Sequence, residues 1–170
     1  PLASTLPDLG GESIVADDAR SPSFILHQNG NGSVSLDELL QGKSAVVIGI
    51  TLPASSNAVD QSKQLQNVAE RLGDEVSVVQ VVTGENVRMD DLDIIADITN
   101  ATWPILIDDS ESRFAQRMPH GVSDSVVVID SSGHVAYSAP RSAGSEDIID
   151  AIDNIGSVSY THLTLPTTLV

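Results

Sequence analysis

Three short runs constrain the fold of this chain more than any other feature: "AVVIGI" at Ala45–Ile50, "EVSVVQVV" at Glu75–Val82 and "VVVI" at Val126–Ile129. They are largely apolar and rich in β-branched residues, and none shows the polar alternation of a strand with one wet face. Strands of that kind are covered on both sides, so the runs predict the central strands of a sheet between two other layers. What separates them has the helical period. Asn57–Leu72 brings Val59, Leu65, Val68, Ala69 and Leu72 close to one stripe and stops at Gly73, and Met89–Ile98 carries Leu92, Ile95 and Ile98.

The remaining segments complete an alternating order. "FILH" and "SVSL" flank "QNGNG", and Asn-Gly pairs supply the positive φ of tight turns, so Phe24 to Ser35 reads as a β-hairpin. Ser35 and Glu38 form a capping box for a short helix, "LDELLQG", closed by Gly42. "TWPILID" is a short extended piece, and "SESRFAQRM" predicts a helix capped by Ser110. "DSSGH" turns the third run into a hairpin partner, "VAYSA", and Ser145–Ile155 is a closing amphipathic helix. Hairpin, β, α, β, α, short β, α, β-hairpin, α predicts an α/β fold, a mixed sheet with helices on both faces.

At 170 residues the chain is long enough for one self-sufficient core. Residues 1–21 are small, acidic and turn-prone, and read as a linker or the end of a preceding unit; 22–156 form the domain. After Gly156 the character changes abruptly. "VSYTHLTLPT" resembles the translation of a sequencing-library adapter joined to a truncated frame, so 157–170 is expected to be non-native and the chain a piece of a longer one. Pro1 stands where a methionine is expected, which leaves cytoplasmic and exported placements both open. No apolar run approaches the roughly 20 residues of a membrane span.

Charge and cysteine usage exclude whole classes of function. The formal net charge is −16, from 24 acidic and 8 basic residues, with Lys43 and Lys63 the only lysines. Such a field repels phosphate backbones and anionic lipid, so neither nucleic acid nor membrane is an expected partner; the Asp-rich surface fits solubility in a salty medium. The chain has no cysteine, which removes disulfides, thiolate catalysis and cysteine-held metals at once. No cofactor or metal is expected.

The order of elements, together with "SPSFILHQNGNGSVSLDELLQGKSAVVIGI", "WPILID" and "GVSDSVVVIDSSGHV", resembles the redoxin branch of the thioredoxin-like superfamily over roughly Ser21 to Ile155. That branch includes the AhpC/TSA peroxiredoxins and the thiol-disulfide oxidoreductases of cytochrome maturation. The resemblance implies a central sheet of about five strands flanked by helices, with the reactive loop at the head of the first long helix, where the helix dipole favours a thiolate. It implies ancestry in thiol-disulfide or antioxidant chemistry.

The residues at that loop, "TLPASSNAVD", contradict its survival. On the family's Cys-x-x-Cys pattern, Ser55 and Ala58 take the cysteine positions. On the peroxiredoxin Pro-x-x-x-Thr-x-x-Cys pattern, Pro53 matches, Asn57 replaces the threonine and Asp60 the cysteine. Neither alternative leaves an oxidisable sulfur. Ser123 or Asp124 stands where thioredoxin-type members place a cis-proline and peroxiredoxins an arginine, so the supporting elements are gone as well. The expectation is a degenerate site and a binding or structural module, its partner an unidentified protein or the rest of the parent chain, which could itself carry a competent redoxin.

The rival is a non-thiol enzyme using the same cleft, with Ser55, Asp60 and His120 as its parts. No Gly-x-Ser-x-Gly elbow accompanies the serines, and His27, His120, His134 and His162 are scattered, so helix capping is the plainer role for Ser55 and Ser56. Asp90, Asp91 and Asp93 fall in the first turn of a helix, where the dipole alone favours them. "DDSES" at Asp108–Ser112 lacks the glycine and distal glutamate of a calcium loop, and Trp103 and Phe114 read as core residues.

Overall fold

The buried runs form the middle of one mixed sheet. In the computed structural model, residues 21–155 are described except 22, 31, 54, 109–112 and 142, so the predicted linker before Ser21, Ser110 and the tail beyond Gly156 lie outside the described residues. A hairpin of β1 (Ile25–His27) and β2 (Ser33–Ser35) leads into α1 (Leu36–Leu40). There follow β3 (Ala45–Thr51), α2 (Asn57–Leu72), β4 (Val76–Val82), α3 (Met89–Thr99), β5 (Ile105–Ile107), β6 (Ser125–Asp130), β7 (Val135–Pro140) and α4, residues 145–155. The strand order is β5-β4-β3-β6-β7, with β4 parallel to β3 and β5, and β6 antiparallel to β3 and β7.

Local chemistry explains the element ends. Ser35 Oγ accepts the Glu38 amide at 3.2 Å while the Glu38 carboxylate accepts the Ser35 amide at 3.1 Å, the reciprocal box expected from the sequence. Gly73 closes α2 at φ 55°, and Asn100 closes α3 in the left-handed conformation at φ 55°. Asp130 Oδ1 collects the amides of Ser132 and His134 at 3.0 and 2.9 Å, which folds "DSSGH" into its turn.

Two faces of the sheet are covered by different material. Val46, Ile48 and Ile50 of β3, with Val79, Val81, Val127 and Ile129, pack against the hairpin, α1 and Phe114, whose ring meets Phe24 edge-on at 4.9 Å. Ala45, Val47, Val126 and Val128 point the other way, onto Leu65 and Val68 of α2 and Ile148, Ile149 and Ile152 of α4. Leu92 and Ile95 of α3 cover Val82, Ile105 and Ile107. The expected layering holds, with the three long helices on one face and α1 with a single 3-10 turn on the other.

One predicted helix is shorter than its sequence suggests. "SESRFAQRM" yields only a 3-10 turn at Ala115–Arg117 among its described residues. Its start is held by buried Asp108, which accepts the amides of Phe114 and Ala115 at 2.7 and 2.9 Å and the Thr83 hydroxyl at 2.7 Å.

The head of α2 is fastened to the sheet by a buried amide chain. Gln61, fully buried on α2, donates to the carbonyls of Ile50 and Ser125 at 3.1 and 2.9 Å, which joins the end of β3 to the start of β6. Its oxygen accepts from Gln80 at 3.1 Å, and Gln80 in turn accepts from the Trp103 indole at 3.0 Å. Trp103 is thus a core residue, as expected, and it also closes a polar chain. Gly49 makes the chain possible: a Cβ there would lie 2.5 Å from Gln61 Oε1 and 2.9 Å from Leu65 Cδ1.

Gly49→Ala is therefore expected to destabilise the domain by roughly 1–3 kcal/mol, the usual cost of forcing atoms into a packed core. Urea unfolding checks it, and a midpoint equal to that of the parent chain contradicts the placement of Gln61.

Candidate functional site

The site forms where two strands run in opposite directions. Ile50 of β3 pairs with Ser125 of β6, so the chain leaving β3 toward α2 passes beside the chain entering β6. Asp124, one residue before β6, points its carboxylate into that junction. Oδ1 accepts from the Leu52 amide at 3.0 Å and the Thr51 hydroxyl at 3.2 Å; Oδ2 accepts from the Ser55 hydroxyl at 2.8 Å and the Asn57 side-chain amide at 3.0 Å. An ionised carboxylate offers about four acceptor directions; Leu52, Ser55 and Asn57 take three, and the single Thr51 proton is shared between the carboxylate and the Leu52 carbonyl at 3.3 Å. The Asp124 carbonyl is also engaged, by the Arg141 amide at 2.7 Å.

Ser55 is as fully engaged as its partner. Its hydroxyl donates to Asp124 and accepts the Asn57 amide at 3.1 Å, satisfying one of the free amides at the start of α2. The capping role expected of the serines thus falls to Ser55. Ser56, at the N-cap position, has helical backbone angles and no side-chain cap bond, because a cap hydroxyl needs the extended backbone that Ser56 lacks.

Of the other predicted site residues, Pro53 is half-buried and Ala58 buried on α2. Asp60 is exposed in the first turn of α2, away from the Asp124 cluster's hydrogen bonds. Ser123 donates to the His120 carbonyl at 2.8 Å, a bond that shapes the loop ahead of Asp124.

His120 does not reach the serines by any hydrogen bond among the described residues. Its Nε2 is buried with no hydrogen-bond partner among the described residues. Burial holds its pKa below the ordinary 6.5, partly offset by a hydrogen bond to the Ser138 backbone. His27 is exposed on β1, and His134 sits 4.0 Å from Asp130 at the β6–β7 turn; His162 lies outside the described residues.

The acidic runs have local employment. Asp91 Oδ2 accepts the Arg88 amide at 2.8 Å at the start of α3, with Asp90 in the same turn and Asp93 exposed, and Asp108 holds the turn at Phe114. Among the described residues, no three His, Asp or Glu side chains gather where they could hold a metal ion. Nor is any described helix long and apolar enough to cross a membrane.

Sequence reasoning placed Ser55, Asn57 and Asp124 near the site but missed that the carboxylate binds both loop residues. The signal was an acid set directly before a buried strand, "SDSVVV". Gln61, Gln80 and Thr51 were missed altogether, being polar residues within buried patterns.

No protein-family model matches the chain, and no curated protein matches it. Solved structures do. A secreted thiol-disulfide isomerase from Corynebacterium glutamicum superposes with a TM-score of 0.71 at 18% identity, over 88% of this chain and 93% of that one. A DsbF homologue from Corynebacterium diphtheriae gives 0.68 at 22% identity, over 85% and 94%. A secreted Mycobacterium tuberculosis disulfide oxidoreductase homologous to E. coli DsbE gives 0.61 at 13% identity, over 77% and 95%. The chain has the thioredoxin-like fold of thiol-disulfide oxidoreductases, and it has no cysteine.

Asp124→Ala strands the donors of Leu52, Ser55 and Asn57 at once and is expected to cost roughly 1.5–3 kcal/mol, the range for losing a charged hydrogen-bond acceptor. Asp124→Asn, with one acceptor oxygen and two N–H groups facing other donors, is expected to destabilise too; unfolding within about 0.5 kcal/mol of the parent for both contradicts the lock. For His120, a depressed folded pKa means the unfolded chain protonates first, so its contribution to stability is present above 6.5 and is lost as pH falls through the folded value. An imidazole titration by NMR should show a midpoint below 6.5. His120→Gln should flatten the acid side of the stability profile in that window, and an unshifted midpoint contradicts the burial.

Proposed function

We propose that this is a thioredoxin-like domain that has lost thiol chemistry and serves as a binding or structural module. The carrying observation is the Ser55–Asp124 contact at 2.8 Å, which turns the strand-to-helix junction into an internal fastening. Ser55 and Ala58 are the better match to the lost cysteine pair than Asp60. Ser55 faces the segment that leads into β6, where the resemblance puts the supporting proline, whereas Asp60 is exposed on α2.

The same contact is what a serine-based enzyme would require, a hydroxyl beside a carboxylate. The proton would pass along that bond, but the carboxylate is also the acceptor for Thr51, Leu52 and Asn57, which makes it the centre of a structural cluster. The hydroxyl is likewise committed to the Asn57 amide. With no histidine among the described residues hydrogen-bonded to Ser55, a fastening accounts for the geometry with fewer unmet requirements.

Two assays separate the readings. The purified chain is expected to reduce neither insulin disulfides nor hydrogen peroxide above buffer, and turnover in either overturns the proposal. Hydrolysis of p-nitrophenyl acetate should be the same for the parent and for Ser55→Ala; a Ser55-dependent rate supports the serine enzyme instead.

A further inference from the structure

The five-stranded sheet ends at β5, and an edge strand leaves backbone groups open to pairing with other chains. The tip of the β1–β2 hairpin covers this edge. The Asn29 amide donates to the Ile105 carbonyl at 2.8 Å, the Ile105 amide donates to Asn29 Oδ1 at 3.3 Å, and Gln28 bridges Leu106 in antiparallel sense. Asn29 alone thus meets both backbone groups of Ile105.

The residue after it invites a reaction. Gly30 is exposed, sits at φ 87°, and a Cβ there would meet nothing within 4 Å. Asparagine is a thermolabile residue, and before glycine no Cβ on the following residue crowds the approach of its backbone nitrogen to the side-chain carbonyl. The Gly30 nitrogen attacks Asn29 Cγ; the new N–C bond closes a succinimide ring, the bond to the side-chain nitrogen breaks, and ammonia leaves with the proton that Gly30 gives up. Water then opens the ring at either carbonyl, to aspartate or to isoaspartate, in which the main chain runs through the former side chain. During the attack negative charge gathers on Asn29 Oδ1, the atom to which the Ile105 amide already donates. Solvent water is the only co-reactant.

We propose that Asn29 is a self-modifying site, deamidating through a succinimide with Gly30, and that the isoaspartate product unfastens the hairpin tip from β5. Isoaspartate lengthens the main chain by a carbon and shortens the side chain by one, so the amide and the acceptor oxygen no longer match the spacing of the Ile105 carbonyl and amide. Aspartate, the other product, keeps both groups in place. The isoaspartate form adds a carboxylate to a chain of net charge −16 and bares the edge of β5.

Ageing the full chain in mildly alkaline buffer tests it, read by intact mass and peptide fragmentation. A gain of about 1 Da should map to Asn29; Asn29→Gln should lose it and Asn31→Gln should keep it. Asn31, which also precedes a glycine, lies outside the described residues and serves as the internal control. The rate at Asn29 in the folded chain should equal or exceed the rate in guanidinium, where the Ile105 amide is no longer held in place. A slower folded rate, or a gain confined to Asn31, overturns the proposal. The isoaspartate form, resolved from the parent and aspartate forms by anion exchange, should exchange the Ile105 amide hydrogen on the order of tenfold faster than the parent, with the β3 amides unchanged. Asn29→Asp carries the charge without the rerouted backbone and should keep the Ile105 amide protected. Unchanged exchange at Ile105 in the isoaspartate form, or equal loss of protection in Asn29→Asp, would contradict the unfastening by backbone rerouting.

Discussion

The Asp124 carboxylate holds together the two chain segments that the sheet delivers to one point. Antiparallel pairing of β3 with β6 brings the exit of one strand beside the entrance of the other, and the helix that follows β3 must start within a few residues. Junctions like this leave amides and hydroxyls without secondary-structure partners, and half-buried donors need acceptors. Here a single side chain supplies them for Thr51, Leu52, Ser55 and Asn57. Beneath it, Gln61 does the same for the carbonyls of Ile50 and Ser125. The two networks have opposite polarity: one accepts what the loop donates, and the other donates to what the strands leave open.

This arrangement supports the proposal that the loop carries no thiol chemistry. In a thiol enzyme of this fold, the first turn of the long helix must present a sulfur to a substrate, which requires an accessible group and a helix N-terminus free to favour a thiolate. In this chain the Ser55 hydroxyl, just ahead of α2, is bonded on both its donor and acceptor sides. A carboxylate in the adjoining position would disfavour a thiolate by like charge.

Much of the fold was legible in the sequence because its signals are local. The buried runs, the Ser35–Glu38 box, the Asn-Gly turn and Gly73 each act within a few residues, and the elements lie where those signals put them. The helix expected at "SESRFAQRM" shows the limit, since its fate depends on Asp108 at the end of β5 and on Thr83 after β4. The fastening was harder to see for the same reason: Ser55 and Asp124 are 69 residues apart, and only the strand register makes them neighbours. Gly49 was read as part of a continuous apolar strand, with no hint that a glutamine 12 positions later needed its missing side chain.

The measurement closest to the central claim is a double-mutant cycle in urea with Ser55→Ala, Asp124→Ala and the pair. If the junction is a fastening, the two residues are energetically coupled, and the cycle should return an interaction of about 0.5–3 kcal/mol, as groups in one hydrogen-bond network do. Losses that add to within about 0.3 kcal/mol would mean that the contact carries no stability, and would contradict the account.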